Sequence, residues 1–145
     1  MNDGFSQTGF GPVELDVISL DRPTVSPALL HALAKQVDAG VVQLLDLMVV
    51  ARSEDGETIE TVEIDPSEFG LGNLEPLAPG LAADEDVLAL ASQLPPGGAA
   101  AVVALELVWA RELAAQLAAD NSFVVATERI PAPVVNAIVE LTADL

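Results

Sequence analysis

Neutral-pH chemistry is done by a short list of side chains, and this 145-residue chain lacks most of them. It has no cysteine, which excludes disulfides, thiolate metal sites and thiol nucleophiles. His31 is the single histidine. It stands one residue off the apolar stripe of a helical stretch, as a surface or boundary residue would. A serine triad needs a base, an orienting acid and a nucleophile held together. Ser26 and Ser53 are present, but nothing marks either as a nucleophile. Asp84-Glu85-Asp86 could offer oxygen ligands to a hard cation. Acids at a helix start more often answer the positive end of its dipole, and that reading is preferred. Asp55-Gly56 lacks the alternating ligands of a calcium loop. Gly97-Gly98 precedes a strand, whereas a phosphate cradle needs glycines leading into a helix. Arg129, beside Glu128, is a candidate anion contact. The expected inventory is therefore no catalytic residue, no cofactor and no metal.

What the chain has in excess is negative charge. The formal net charge is −18, with an isoelectric point near 4.1. Phosphate backbones and anionic lipid surfaces would repel it, so neither nucleic acid nor membrane is expected as a partner. The excess keeps a very apolar chain soluble, and with Lys35 as the single lysine it would also suit a high-salt cytoplasm. Between Ser53 and Ala110 there are twelve acids and no Lys or Arg. Glu54, Asp55, Glu57, Glu60 and Glu63 lie on the arm VVARSEDGETIETVEID. Such an edge ribbon resists indiscriminate strand pairing. It could also receive a basic protein partner or a donated strand, which makes these five acids candidate partner contacts.

The elements that must carry these residues follow from periodicity. Val13, Leu15 and Val17 alternate with Glu14 and Asp16, which is a strand. Ser26-Pro27 opens a helix whose Leu30, Leu33, Ala34 and Val37 form an apolar stripe, and Gly40 stops it. Val41–Ala51 is a long strand, Asp55-Gly56 a turn and Thr58–Ile64 a return strand. Residues 65–83, with three prolines and three glycines, read as a long loop. A helix from Asp84 ends at Pro95-Pro96-Gly97-Gly98. Ala99–Leu107 is a nearly unbroken apolar run, as in a central strand covered on its faces. A helix over 108–119 should bury Trp109, Leu113 and Leu117. Ser122–Arg129 is the next strand. A last helix follows Pro131, with Val134, Val135, Ile138, Val139 and Leu141 apolar.

The order contains two β-α-β passages, beginning near residues 13 and 100. Right-handed crossovers in both would interleave four strands into one sheet. The expected class is thus α+β, a ferredoxin-like βαβ-βαβ sandwich with a β-hairpin extension and additional helices. Residues 1–10 would form a flexible arm and 11–145 a single domain. The N-terminus has neither the basic start nor the apolar centre of a signal peptide, and no apolar run reaches the ~20 residues of a membrane span. A cytoplasmic protein is expected.

Four stretches carry a family resemblance: GPVELDVISL at 11–20, VVQLLDLMVVARSEDGE at 41–57, DEDVLALASQLPPGGAAAVVALELVWARELAAQL at 84–117 and ATERIPAPVVNAIV at 126–139. They resemble an uncharacterised actinobacterial family catalogued as domain of unknown function 6325. The strand and Asp-Gly turn are more weakly similar to a broader family of stress-associated bacterial proteins. Neither resemblance implies an activity or a catalytic residue.

The function expected first is a non-enzymatic, self-associating structural or protein-interaction module. Its motive is an apolar sheet, one face of which would stay open, and few catalytic residue types. A small-ligand-binding regulatory domain is the alternative, and a cofactor-free enzyme stands third.

Overall fold

A computed structural model describes residues 9–64, 74–81, 89 and 91–143. Most of the expected N-terminal arm, most of the 65–83 loop and the Asp84-Glu85-Asp86 helix start lie outside the described residues. The chain divides into two compact units, one up to Ala115 and one spanning Gln116–Leu145.

In the first unit, β1 (Val13–Leu20), β2 (Val42–Arg52), β3 (Ile59–Glu63) and β4 (Ala99–Leu107) form one sheet in the order β1-β4-β2-β3, antiparallel throughout. The central position of β4 follows from its composition. Ala99 to Ala104 are all buried, and no side chain larger than valine occurs among them. β1 and β2 run parallel to each other on either side of it, linked by α1 (Pro27–Asp38). Ser26 caps α1 by accepting from the Leu29 N–H at 3.1 Å, Pro27 occupies the first turn, and Gly40 at φ +76° carries the chain out. Leu30 and Ala34 of α1, with Val25, pack on Leu44, Leu47 and Val49 of β2 and on Ala101 and Val103 of β4. Each fully buried Leu or Val in this layer contributes ~1.5–3 kcal/mol.

The opposite sheet face is covered in part. Met48, Val50 and Val102 pack with Ala91, flanked by Ile59 and Leu94. Toward the β1 edge that cover thins, and Val13, Leu15 and Val17 are each more than 40% exposed. A register shift between Leu44 and Asp46 changes which residues of β2 face α1. Leu44 faces it before the shift; Leu47 and Val49 face it after. The extra residue lets both Leu44 and Leu47 enter one core, which strict alternation forbids. The segment after the undescribed loop lies along β2 there. Leu77 and Ala78 N–H groups donate to the Leu44 and Leu45 carbonyls, and the Gly80 N–H donates to the buried Asp46 carboxylate at 3.0 Å.

β4 ends on a charge. Glu106 is fully buried, and its carboxylate accepts a bidentate pair from Arg111, Nε at 2.6 Å and Nη2 at 2.7 Å. It also accepts from the Gly11 N–H. Gly11 is required there, because a Cβ would stand 2.9 Å from Arg111 Cγ and 3.0 Å from the Leu107 carbonyl. Between Glu106 and Arg111 the chain makes one 3-10 turn, Val108–Ala110, before α2 (Arg111–Ala119) begins. That turn rotates the helical phase. Trp109, expected in the core, is 62% exposed, and Leu113 is exposed with it, while Leu117 is half-buried.

The second unit departs furthest from expectation. α2 closes in a Schellman motif: Asn121 takes φ +59°, and the Asn121 and Ser122 N–H groups bond the Ala118 and Leu117 carbonyls. Residues 122–131 carry no regular structure, so the strand expected over Ser122–Arg129 is not formed. The fourth strand of the sheet is instead the hairpin return, β3. α3 (Ala132–Ala143) forms as expected after Pro131.

The Glu106 site sets a pH dependence. The Arg111 hydrogen bonds, and after them the Gly11 N–H, hold the Glu106 carboxyl below its ordinary range despite burial. A lowered carboxyl pKa stabilises the fold above the unfolded-state value of about 4.3 and loses that contribution as pH falls through the folded value. Arg111→Met should cost about 2 kcal/mol at pH 7, below the usual 3–5 for a broken buried pair because Arg111 is partly solvated. Urea denaturation between pH 3 and 7 should show the wild-type advantage over this variant shrinking below pH 4.

Candidate functional site

An apolar space lies between α1 and the sheet in the first unit. It has a volume of about 240 Å³. Leu29, Leu30 and Leu33 of α1 form its roof, and Ile18, Ala101 and Val103 are among the strand residues forming its floor. The wall is apolar except for Asp16, its one charged residue. Small side chains line the space: Ala101, fully buried on β4, and Ala32 on α1. Ile18 and Leu29, each 38% exposed, mark its mouth. Engineered apolar cavities of about 150 Å³ stay dry and bind benzene, so this one has room for a substituted ring or an aliphatic chain of similar bulk. It offers burial and shape selection.

The five hairpin acids are distributed rather than gathered. Asp55 belongs to the turn itself. Its Oδ1 accepts from Ser53 Oγ at 2.6 Å and from the Glu57 N–H at 2.9 Å, and these bonds lower its pKa. Ser53 Oγ accepts from the Thr58 N–H, and Gly56 at φ +76° completes the reversal. Glu54 and Glu57 are exposed in this loop. Glu60 pairs with Ala51 on β3 and is exposed; Glu63 pairs with Met48 through its backbone. Arg52 ties the loop down. Its Nε donates to the Gly56 carbonyl at 3.1 Å and its Nη1 to the Leu94 carbonyl at 2.6 Å. Gly97 and Gly98 form the tight turn into β4 and bond the hairpin base through Ser53 and Arg52.

His31 is exposed on α1, and Arg129 is exposed in the irregular stretch before α3. Among the described residues no group of three or more His, Cys, Asp or Glu could hold a metal ion, and no helix is long and apolar enough to cross a membrane. Sequence reasoning missed two features. The cavity depends on which strand and helix residues line the space between the two layers. Glu106, in an apolar run, was the visible signal for a buried ion pair, and its partner five residues on was readable only as one of few cations.

Filling the cavity tests its reality. Ala101→Val should raise the unfolding free energy by about 1 kcal/mol in urea denaturation, the usual gain for occupying a core void. A loss of that size would mean the strand and helix already touch there.

No curated protein and no solved structure matches this chain. The model of a family of unknown function, DUF6325, matches residues 9–144. The chain belongs to that family.

Proposed function

We propose that this chain is a non-enzymatic module that self-associates. The observation that carries the reading is the state of the second unit. Among its described residues none is buried. Phe123, Val124, Val125 and Ile130 are 59–86% exposed, and Val134, Val135, Ile138, Val139 and Leu141 of α3 are 42–70% exposed. Monomeric soluble proteins seldom leave contiguous apolar surface of this extent to water, and large patches mark interaction sites. Each such side chain forgoes ~1.5–3 kcal/mol until something covers it. A net charge of −18 selects against indiscriminate clumping. The parallel β1 and β2 with β4 between them support reading the sheet as part of a ferredoxin-like sandwich whose second passage lacks its closing strand. The apolar cavity wall, with one carboxylate, favours binding over catalysis.

Light scattering at micromolar concentration should give a mass of at least two chains. Ile138→Asp with Val134→Asp, on an exposed helix face, should shift it toward one chain while leaving the circular dichroism of the sheet unchanged. A wild-type protein of single-chain mass at these concentrations would refute self-association.

The cavity favours a second reading, a small-ligand-binding domain. The occupant would be uncharged and apolar, since Asp16 and the overall charge repel anions. 1-Hexanol or toluene should raise the melting temperature where hexanoate does not. Equal stabilisation by hexanoate, or none by any of the three, would remove this reading.

A further inference from the structure

We infer that the cavity between α1 and the sheet is the tail half of a two-part site, that the polar recess at the β1–α1 loop is its head half, and that the ligand is an uncharged amphiphile with one aliphatic chain and a vicinal-diol head of the glycerol type. The inference rests on the ligand-binding reading of the cavity given above and names the class of ligand.

Three observations converge. First, a second space adjoins the cavity within the same unit. A recess of about 460 Å³ lies at the loop from β1 to α1, and its lining includes Ser19, Asp21, Arg22, Thr24 and Ser26. Leu29 lines both spaces. Chain neighbours also divide between them: Ile18 lines the cavity and Ser19 the recess, and Val25 lines the cavity while the residues on either side of it line the recess. Second, the two spaces differ in chemistry. The cavity wall is aliphatic apart from Asp16, whereas hydroxyl residues, one acid and one base border the recess. Among the described residues neither the Asp21 nor the Arg22 side chain is committed to an ion pair or a hydrogen bond. The Thr24 N–H donates to the Arg22 carbonyl at 2.7 Å, a tight turn that fixes the backbone of this loop. Third, the boundary is apolar and wet. Ile18 and Leu29 stand there 38% exposed, and a chain passing from recess to cavity would cover both.

The charges select the head. Arginine only donates hydrogen bonds and a carboxylate only accepts them, while a hydroxyl does both. Adjacent hydroxyls can therefore accept from Arg22 and donate to Asp21 at once. An anionic head would meet Asp21 and the field of a chain carrying −18, and an ammonium head would meet Arg22. The volume selects the tail. Since about 150 Å³ holds benzene, the cavity's volume of about 240 Å³ holds an alkyl chain of roughly nine carbons, and one chain only.

Titration calorimetry on the full chain tests both halves. 1-O-octylglycerol should bind about tenfold more tightly than 1-octanol, which has the same tail, because the head adds hydrogen bonds to charged groups. 1-O-hexylglycerol should bind more weakly than the octyl ether by about fourfold per methylene removed. Arg22→Ala, in an exposed loop, should abolish most of the tenfold gain and leave the affinity for 1-octanol unchanged. Thr24→Val should remove part of the gain, and it gives a second measurement should Arg22→Ala disturb the loop. Ala101→Val, which narrows the cavity, should weaken both octyl probes alike. Equal affinity for 1-octanol and 1-O-octylglycerol, or a gain that survives both loop substitutions, would overturn the two-part site and leave the cavity reading standing. Tighter binding of octanoate or octylammonium than of 1-O-octylglycerol would overturn the uncharged head. No binding by any octyl compound would take down the two-part site and the cavity reading together.

Discussion

A carboxylate buried away from the surface governs the geometry of this protein. Glu106 lies at the end of the central strand, fully buried, and an ion in that position costs several kcal/mol unless it is paired and hydrogen-bonded. Two other parts of the chain must therefore meet it. Arg111 approaches from the start of α2, and the N–H of Gly11 from the residue pair that leads into β1. Meeting the first demand forces the one-turn reversal after β4. Meeting the second fixes where β1 begins and keeps a side chain out of position 11. The start of the edge strand and the first residue of α2 are thus tied to the same ion. A neutral residue at position 106 would leave both free to shift.

A second buried acid does comparable work on the other neighbour of β4. Asp46 follows the register shift in β2 and accepts from the Leu47 and Gly80 N–H groups. The shift lets β2 present leucines to α1 on both sides of it, and the acid anchors the segment that borders β2 where β3 has ended. The layers are held apart by the large residues of α1 and β2 while the alanines of β4 stay low. The cavity is the remainder of that mismatch, which is why it is lined so completely by aliphatic groups.

Much of the first unit was legible from periodicity. β1, α1, β2, the hairpin and β4 appear where alternation, the Ser-Pro start, the Asp-Gly turn and the apolar run put them. These signals are local, and the physics behind them is local as well. Two readings failed for a shared reason. For Trp109 and Ser122–Arg129 the local pattern favours burial and pairing, and a local pattern does not fix the surroundings a residue meets in the fold. For Trp109 a single 3-10 turn, demanded by the Glu106–Arg111 pair, rotates the residue outward. For 122–129 the alternation is present in the sequence, but those residues carry no regular structure. The cavity was illegible for a third reason: it is a property of two layers together.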